Sequence, residues 1–72
     1  MNTYEMTMRH SSGTYVDSIA ADSADAAAQV IAARVSKNEF PVSVSRGIYD
    51  GEYDLVDATG RFVKSFGVKV AA

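Results

Sequence analysis

Four carboxylates lie within eight residues of this 72-residue chain: Asp50, Glu52, Asp54 and Asp57. Closely spaced carboxylates can hold a hard cation such as Ca²⁺, or they can dock on a basic partner surface. The segment lacks the full ligand ladder and the terminal glutamate of an EF-hand loop, so we expect no metal site here. A solvated turn and a partner-binding strip remain as the two interpretations.

Two tyrosines, Tyr49 and Tyr53, bracket the start of this acidic segment. A tyrosine combines an apolar ring with a polar hydroxyl, which suits it both to the margin of a core and to an interface. The acidic turn with its two tyrosines is therefore the contact patch that the sequence favours. The predicted partner-binding residues are Tyr49, Asp50, Glu52, Tyr53, Asp54 and Asp57.

Nucleophilic catalysis has one candidate, His10 beside Ser11 and Ser12. A serine nucleophile needs a histidine to take its proton and a carboxylate to orient that histidine. The chain has one histidine, and His10 to Gly13 have the composition of a surface turn. Paired carboxylates acting as general acid and base need a cleft, which so short a chain does not easily enclose. We expect a protein that is not an enzyme and uses no cofactor.

The last part of the chain is basic. Arg61, Lys64 and Lys69 give residues 61–72 a charge of +3, against −4 for residues 50–57. If the strands that carry these charges are neighbours, we expect cross-strand pairs to absorb much of both.

Residues 61–70 also carry the nucleic-acid alternative. Phe62, Lys64 and Phe66 are two residues apart and would share one strand face, as on an oligonucleotide platform. A core strand with a lysine at its edge has the same pattern. The net charge of −2 argues against direct nucleic-acid binding.

Length and composition limit the fold. Seventy-two residues make one domain (residues 1–72), without cysteines for disulfides or a thiolate zinc site. Eleven of the hydrophobic residues are alanines, which leaves few bulky side chains for the core. The stability of the fold is therefore expected to be modest. No stretch approaches the roughly 18 apolar residues of a membrane span, and the first residues do not resemble a signal peptide. We therefore expect a cytosolic protein with no membrane partner.

Alternating apolar and polar residues predict a hairpin at the start of the chain. Tyr4, Met6 and Met8 share one face of a strand over residues 3–9. A second strand over residues 14–21 alternates less regularly, which indicates either a bulge or an edge position.

An alanine-rich helix follows, from Ala24 to about Lys37, with Asp22 or Ser23 as its N-cap. Its predicted buried stripe consists of apolar residues at helical spacing: Ala27, Val30, Ile31 and Val35. A second row of alanines would let the helix lie close to a sheet.

After Pro41 the chain is predicted to be β-structure, with Gly67 as a candidate bulge. The predicted segments are strands over 42–49, 52–56 and 61–70, separated by turns at 50–51 and 57–60. The element order is thus β-β-α-β-β-β. It predicts an α+β fold, a single antiparallel sheet of four to five strands with one helix packed on one face.

The first half of the chain has a recognisable order of segments. Residues 2–4 enter a strand, Ile19-Ala20-Ala21-Asp22-Ser23 end the hairpin, and Ala24-Asp25-Ala26-Ala27-Ala28 begin the helix. This order resembles small phage and prophage proteins, and among them it is similar to some type I anti-CRISPR proteins. The resemblance implies a non-enzymatic protein that binds and blocks a host complex.

We therefore expect a phage-type inhibitor that blocks a host CRISPR effector complex by surface contact, in the cytoplasm of the host cell. Its partner is then a host protein or ribonucleoprotein complex. Two alternatives stay open: a small nucleic-acid-binding protein that uses residues 61–70, and a structural homodimer whose association completes a thin core.

Overall fold

A computed structural model describes residues 1–71 of the protein, which form five strands and one helix in the predicted order. The α+β class is confirmed. The elements are β1 (Asn2–His10), β2 (Gly13–Ala21), α1 (Ala24–Asn38), β3 (Val42–Arg46), β4 (Glu52–Asp57) and β5 (Phe62–Val70).

The five strands form one antiparallel sheet in the order β2-β1-β5-β4-β3. The last strand of the chain thus lies in the middle, between the first strand and the fourth. The chain passes from one edge strand, β2, to the other, β3, through α1, which covers one face of the sheet.

The core lies between α1 and the sheet face that it covers. Tyr4, Met6 and Met8 are buried there, which confirms the predicted inner face of β1. Leu55 of β4 is 2% exposed and is the most deeply buried large side chain of the described residues. The remaining buried sheet residues are Ile19, Ala21, Tyr53, Phe66 and Val68.

Helix α1 begins as predicted, because the side chain of Ser23 accepts a hydrogen bond from the Ala26 N–H. Its buried residues are Ala27, Ala28, Ile31 and Ala32, whereas Val30 and Val35 are only partly buried. Small alanine side chains therefore form most of the contact, which brings the helix close to the sheet. No helix in the described part of the chain is long and apolar enough to cross a membrane.

The irregular pattern of β2 comes from its edge position. Its register with β1 is uninterrupted from Asn2 opposite Ala21 to His10 opposite Gly13. β2 therefore contains no bulge and is an edge strand, which is the second of the two expected explanations.

The bulge lies in β5 at Val63, and the prediction that placed it at Gly67 is wrong. Leu55 pairs with Lys64 while Val56 pairs with Phe62, so Val63 is the extra residue between them. Val63 packs against the core. Gly67 instead takes part in the regular ladders on both sides of β5.

This bulge separates the two phenylalanines of β5. Phe66 is buried beneath the helix, whereas Phe62 is 59% exposed. The predicted shared face of Phe62, Lys64 and Phe66 is therefore not formed.

Replacing the central side chain tests this packing. We expect Leu55→Ala to lower the free energy of unfolding by about 2–5 kcal/mol, because the surrounding side chains cannot fully fill the cavity. Urea unfolding followed by circular dichroism measures the loss. Ile48→Ala is the control, since Ile48 is 92% exposed, and it should change the unfolding free energy by no more than about 0.5 kcal/mol. Equal effects of the two substitutions would contradict the placement of the core.

Candidate functional site

The β3–β4 loop (residues 47–51) is held by backbone hydrogen bonds at both ends. The Gly47 N–H donates to the Glu52 carbonyl at 2.7 Å, and the Glu52 N–H donates to the Tyr49 carbonyl at 3.0 Å. The Val68 N–H of β5 donates to the Gly51 carbonyl at 2.7 Å. The strand predicted to continue to Tyr49 therefore ends at Arg46, where the chain turns into this loop.

A glycine at each end of the loop allows a close approach to a neighbouring strand. Gly51 has φ +81°, and a Cβ atom there would lie 3.1 Å from the Val68 carbonyl oxygen. A Cβ atom at Gly47 would lie 3.1 Å from the Cβ and the carbonyl oxygen of Glu52. Close backbone approach thus fixes the loop against its neighbouring strands.

The loop presents two large apolar side chains to solvent. Ile48 is 92% exposed and Tyr49 is 70% exposed. Sequence reasoning identified Tyr49 by its residue type but missed Ile48, which it counted among the apolar residues available for the core. The available signal was an isoleucine directly between a glycine and the Tyr49-Asp50-Gly51 turn.

Tyr53 lies beneath this loop and is 6% exposed, so it is not a surface contact. Its ring stacks on Phe66 with centroids 5.9 Å apart. Its hydroxyl donates to Asp25 Oδ1 at 2.6 Å, and Arg46 Nη2 donates to Asp25 Oδ2 at 2.7 Å. One carboxylate thus joins the first turn of α1 to β3 and β4 at the base of the loop.

These contacts shift the titration of the groups involved. The hydrogen bond from Arg46, followed by that from Tyr53, holds the pKa of Asp25 below its ordinary value. Burial, followed by the hydrogen bond to Asp25, raises the pKa of Tyr53 to about 12. Both shifts move away from neutral pH, whereas general acid–base catalysis works best with a pKa near the working pH. The cluster is suited to holding the loop.

The structure separates the next three predicted site residues. Asp50 is exposed in the turn, and Glu52 is exposed at the start of β4. Asp54 is half-buried and alternates with the buried Tyr53 and Leu55, so it lies on the sheet face opposite the helix. The structure thus brings Tyr49, Asp50 and Glu52 together at one end of β4.

Asp57 lies at the other end of β4 and has a local role. Its Oδ1 accepts hydrogen bonds from the Thr59 N–H, the Thr59 hydroxyl and the Arg61 N–H, at 2.9, 2.6 and 3.0 Å. The hydroxyl of Thr59 and then the backbone N–H of Arg61 lower the pKa of Asp57. Asp57 therefore holds the turn between β4 and β5, away from the β3–β4 loop.

The predicted charge pairing between residues 50–57 and 61–72 is wrong. The ion pairs among residues 1–71 are Asp17–Arg34, Asp25–Arg46 and Glu5–Lys69. The register is the reason, because it places Lys69 opposite Glu5 of β1 and Lys64 opposite Leu55. The carboxylates of Asp50, Glu52 and Asp54 therefore belong to none of these ion pairs, and those of Asp50 and Glu52 lie at the loop.

A shallow cleft of about 320 Å³ lies between the loop, Arg46 and the first turn of α1. Within residues 1–71, no group of three or more histidine, aspartate or glutamate side chains is arranged to hold a metal ion.

Comparisons with protein-family models, curated proteins and solved structures found no match to this chain.

A matched pair of glycine substitutions tests how the loop is held. Gly51→Ala should destabilise the fold by more than Gly60→Ala, measured by urea unfolding. Both glycines have positive φ, at +81° and +85°, but a Cβ atom at Gly60 meets nothing within 4 Å. The positive φ should cost about 1 kcal/mol in each variant, and the contact with the Val68 carbonyl adds to it in Gly51→Ala. Equal losses would contradict the close approach.

The Asp25 cluster predicts a definite acid dependence. A depressed pKa stabilises the fold above the ordinary value of 3.8, and this contribution is lost as the pH falls below it and Asp25 takes up a proton. Arg46→Met should therefore raise the pKa of Asp25, measured by carboxyl ¹³C NMR. The free energy of unfolding of this variant should also decrease less as the pH falls below 3.8. Arg61→Met, a distant exposed arginine, should leave the Asp25 titration unchanged. An unaltered titration in Arg46→Met would contradict the assignment.

Proposed function

We propose that this protein is a non-enzymatic, phage-type inhibitor that binds a host CRISPR effector complex through the β3–β4 loop. The observation that carries the proposal is the near-complete exposure of Ile48 beside the largely exposed Tyr49 on a loop held by three backbone hydrogen bonds. In so small a chain, large apolar side chains are needed for the core. Two adjacent ones that are exposed on a fixed loop form an apolar patch, which favours a partner that covers them.

The fixed loop favours tight binding. Burying a side chain such as Ile48 contributes about 1.5–3 kcal/mol. A loop that is already ordered loses little conformational entropy on binding, so more of this gain appears as affinity. Tyrosine is also one of the residue types that dominate binding energy at interfaces.

The charge around the loop indicates the kind of surface it meets. Asp50 and Glu52 line the same cleft as the two apolar residues, and no ion pair among the described residues includes either of them. Such a surface complements a basic patch and speeds encounter with it. A ribonucleoprotein effector carries basic surfaces because it must hold nucleic-acid phosphates. The resemblance of the first half of the chain to type I anti-CRISPR proteins supports the same partner class.

The nucleic-acid alternative has weaker support. Phe62 is exposed, but Phe66 is buried, so β5 offers one aromatic side chain rather than a stacking series. The groove beside Phe62 is lined by two basic residues, Arg9 and Lys64, but also by Glu52, which repels phosphate. Its two basic residues are therefore accompanied by one exposed aromatic side chain rather than by the series on which successive bases stack.

Binding to purified type I CRISPR effector complexes tests the proposal. Ile48→Ser and Tyr49→Ser should each weaken binding roughly tenfold or more, measured by biolayer interferometry, because the apolar anchors are lost. Phe62→Ser is the matched control, an exposed apolar residue outside the loop, and it should bind like the unsubstituted protein. Weakening by Phe62→Ser alone would overturn the choice of surface. Failure of the unsubstituted protein to bind any complex of the panel would overturn the choice of partner.

Charge reversal distinguishes the electrostatic contribution to association from the contribution of apolar contacts to dissociation. Asp50→Lys combined with Glu52→Lys should slow association and remove its dependence on salt, with a smaller effect on dissociation. The serine variants should act mainly on dissociation. An association rate unaffected by charge reversal would show that the partner surface is not basic.

A further inference from the structure

The two edges of the sheet differ in how well their backbone groups are covered. Strand β2 has nine residues and β3 has five. An uncovered edge offers unpaired N–H and C=O groups on which another strand can pair. The edge of β2 is the open one.

The outward groups of β2 follow from its register. His10 and Gly13 close a two-residue turn, so Gly13 and every second residue after it bond to β1. The backbone groups of Thr14, Val16, Ser18 and Ala20 therefore point away from the sheet. One of these amides has a local acceptor, because the Ser18 N–H donates to Asp17 Oδ1 at 2.8 Å.

Strand β3 is protected by the helix. The Ser36 hydroxyl accepts from the Val42 N–H and donates to the Val42 carbonyl, each at 3.0 Å. Pro41, directly before the strand, has no N–H to offer. The helix therefore occupies both backbone groups at the start of this edge.

The side chains of β2 favour a partner rather than repel one. Tyr15 is 51% exposed and Val16 is 54% exposed, and they lie on opposite faces of the strand. The one charged residue of β2, Asp17, is paired with Arg34 of α1. Natural edge strands are commonly protected by lysine, proline or a bulge, and β2 has none of these.

We propose that two copies of this chain pair through β2, antiparallel about a two-fold axis, to form one continuous ten-stranded sheet. A second copy is the occupant that fits because the same edge, whose one charged side chain is paired with Arg34, is self-complementary when offered twice in opposite directions. The pair also covers Tyr15 and Val16, which adds buried area to a protein whose helix contributes mostly alanine to the core. This inference does not depend on the proposed function of the β3–β4 loop.

Charge and packing select the register of this pair. A two-fold axis at Val16 places Val16 opposite Val16 of the second copy, and Thr14 opposite Ser18 of the second copy. It also places Asp17 opposite Tyr15, whereas an axis at Asp17 would place two carboxylates opposite each other, which is unfavourable. Val16 and Thr14 donate inter-copy hydrogen bonds in this register even if the Ser18 amide keeps its bond to Asp17.

The molar mass in solution tests the proposal directly. Size-exclusion chromatography with light scattering, at micromolar concentration, should give twice the 7.7 kDa chain mass. Val16→Lys should give the monomer, and Ser45→Lys on the other edge strand should leave the dimer intact. A monomeric unsubstituted protein would overturn the proposal, and a Val16→Lys dimer would overturn the assignment to β2.

Cross-linking tests the register and does not require Val16→Lys to fold. The chain has no cysteine, so one introduced thiol can react only with its copy. Directly opposed residues in a hydrogen-bonded antiparallel pair have Cα atoms about 5.5 Å apart, within the range of a disulfide. Val16→Cys should form a covalent dimer under mild oxidation much faster than Ser45→Cys. Equal rates would overturn the register.

Discussion

The backbone ladder that β5 forms with β1 on one side and with β4 on the other holds this molecule together. It joins the N-terminal hairpin to the β3–β4 pair, which have no direct strand contact with each other. It places Phe66 and Val68 in the centre of the core. The N–H of Val68 also extends this ladder to Gly51, so the strand that completes the sheet also fixes the β3–β4 loop.

A thin core follows from this arrangement and determines where function can lie. Three of the four buried helix residues are alanines, so the sheet supplies the bulky side chains. The helix packs closely on the sheet, and the cleft beside the loop is shallow. Two exposed features of the described residues are the β3–β4 loop and the β2 edge. Asp25 connects the helix to the base of the loop through Tyr53 and Arg46, so the loop is ordered before any partner arrives.

Sequence reasoning predicted the features that depend on near neighbours. The order of elements, the inner face of β1, the Ser23 cap and the turn at Asp50-Gly51 follow from periodicity and turn chemistry within a few residues. Sequence reasoning also selected the start of β4, where Tyr49, Asp50 and Glu52 line one cleft. It could not show that Tyr53 lies beneath the loop or that Ile48 lies on it. Both positions depend on β3 ending at Arg46, and backbone hydrogen bonds to β4 and β5 determine that end.

The sequence by itself thus determined the local elements and the composition of the core, because these depend on side-chain type and spacing along the chain. Only the tertiary structure decided which strands are neighbours. That choice set the partner of each charge, so Lys69 pairs with Glu5 of β1 and Arg46 with Asp25 of α1, leaving Asp50 and Glu52 without an ion pair among the described residues. It also left β2 as an edge. The physical reason is that backbone pairing between strands joins residues that are far apart in the chain. The register of each strand pair depends on placing its apolar side chains in one common core.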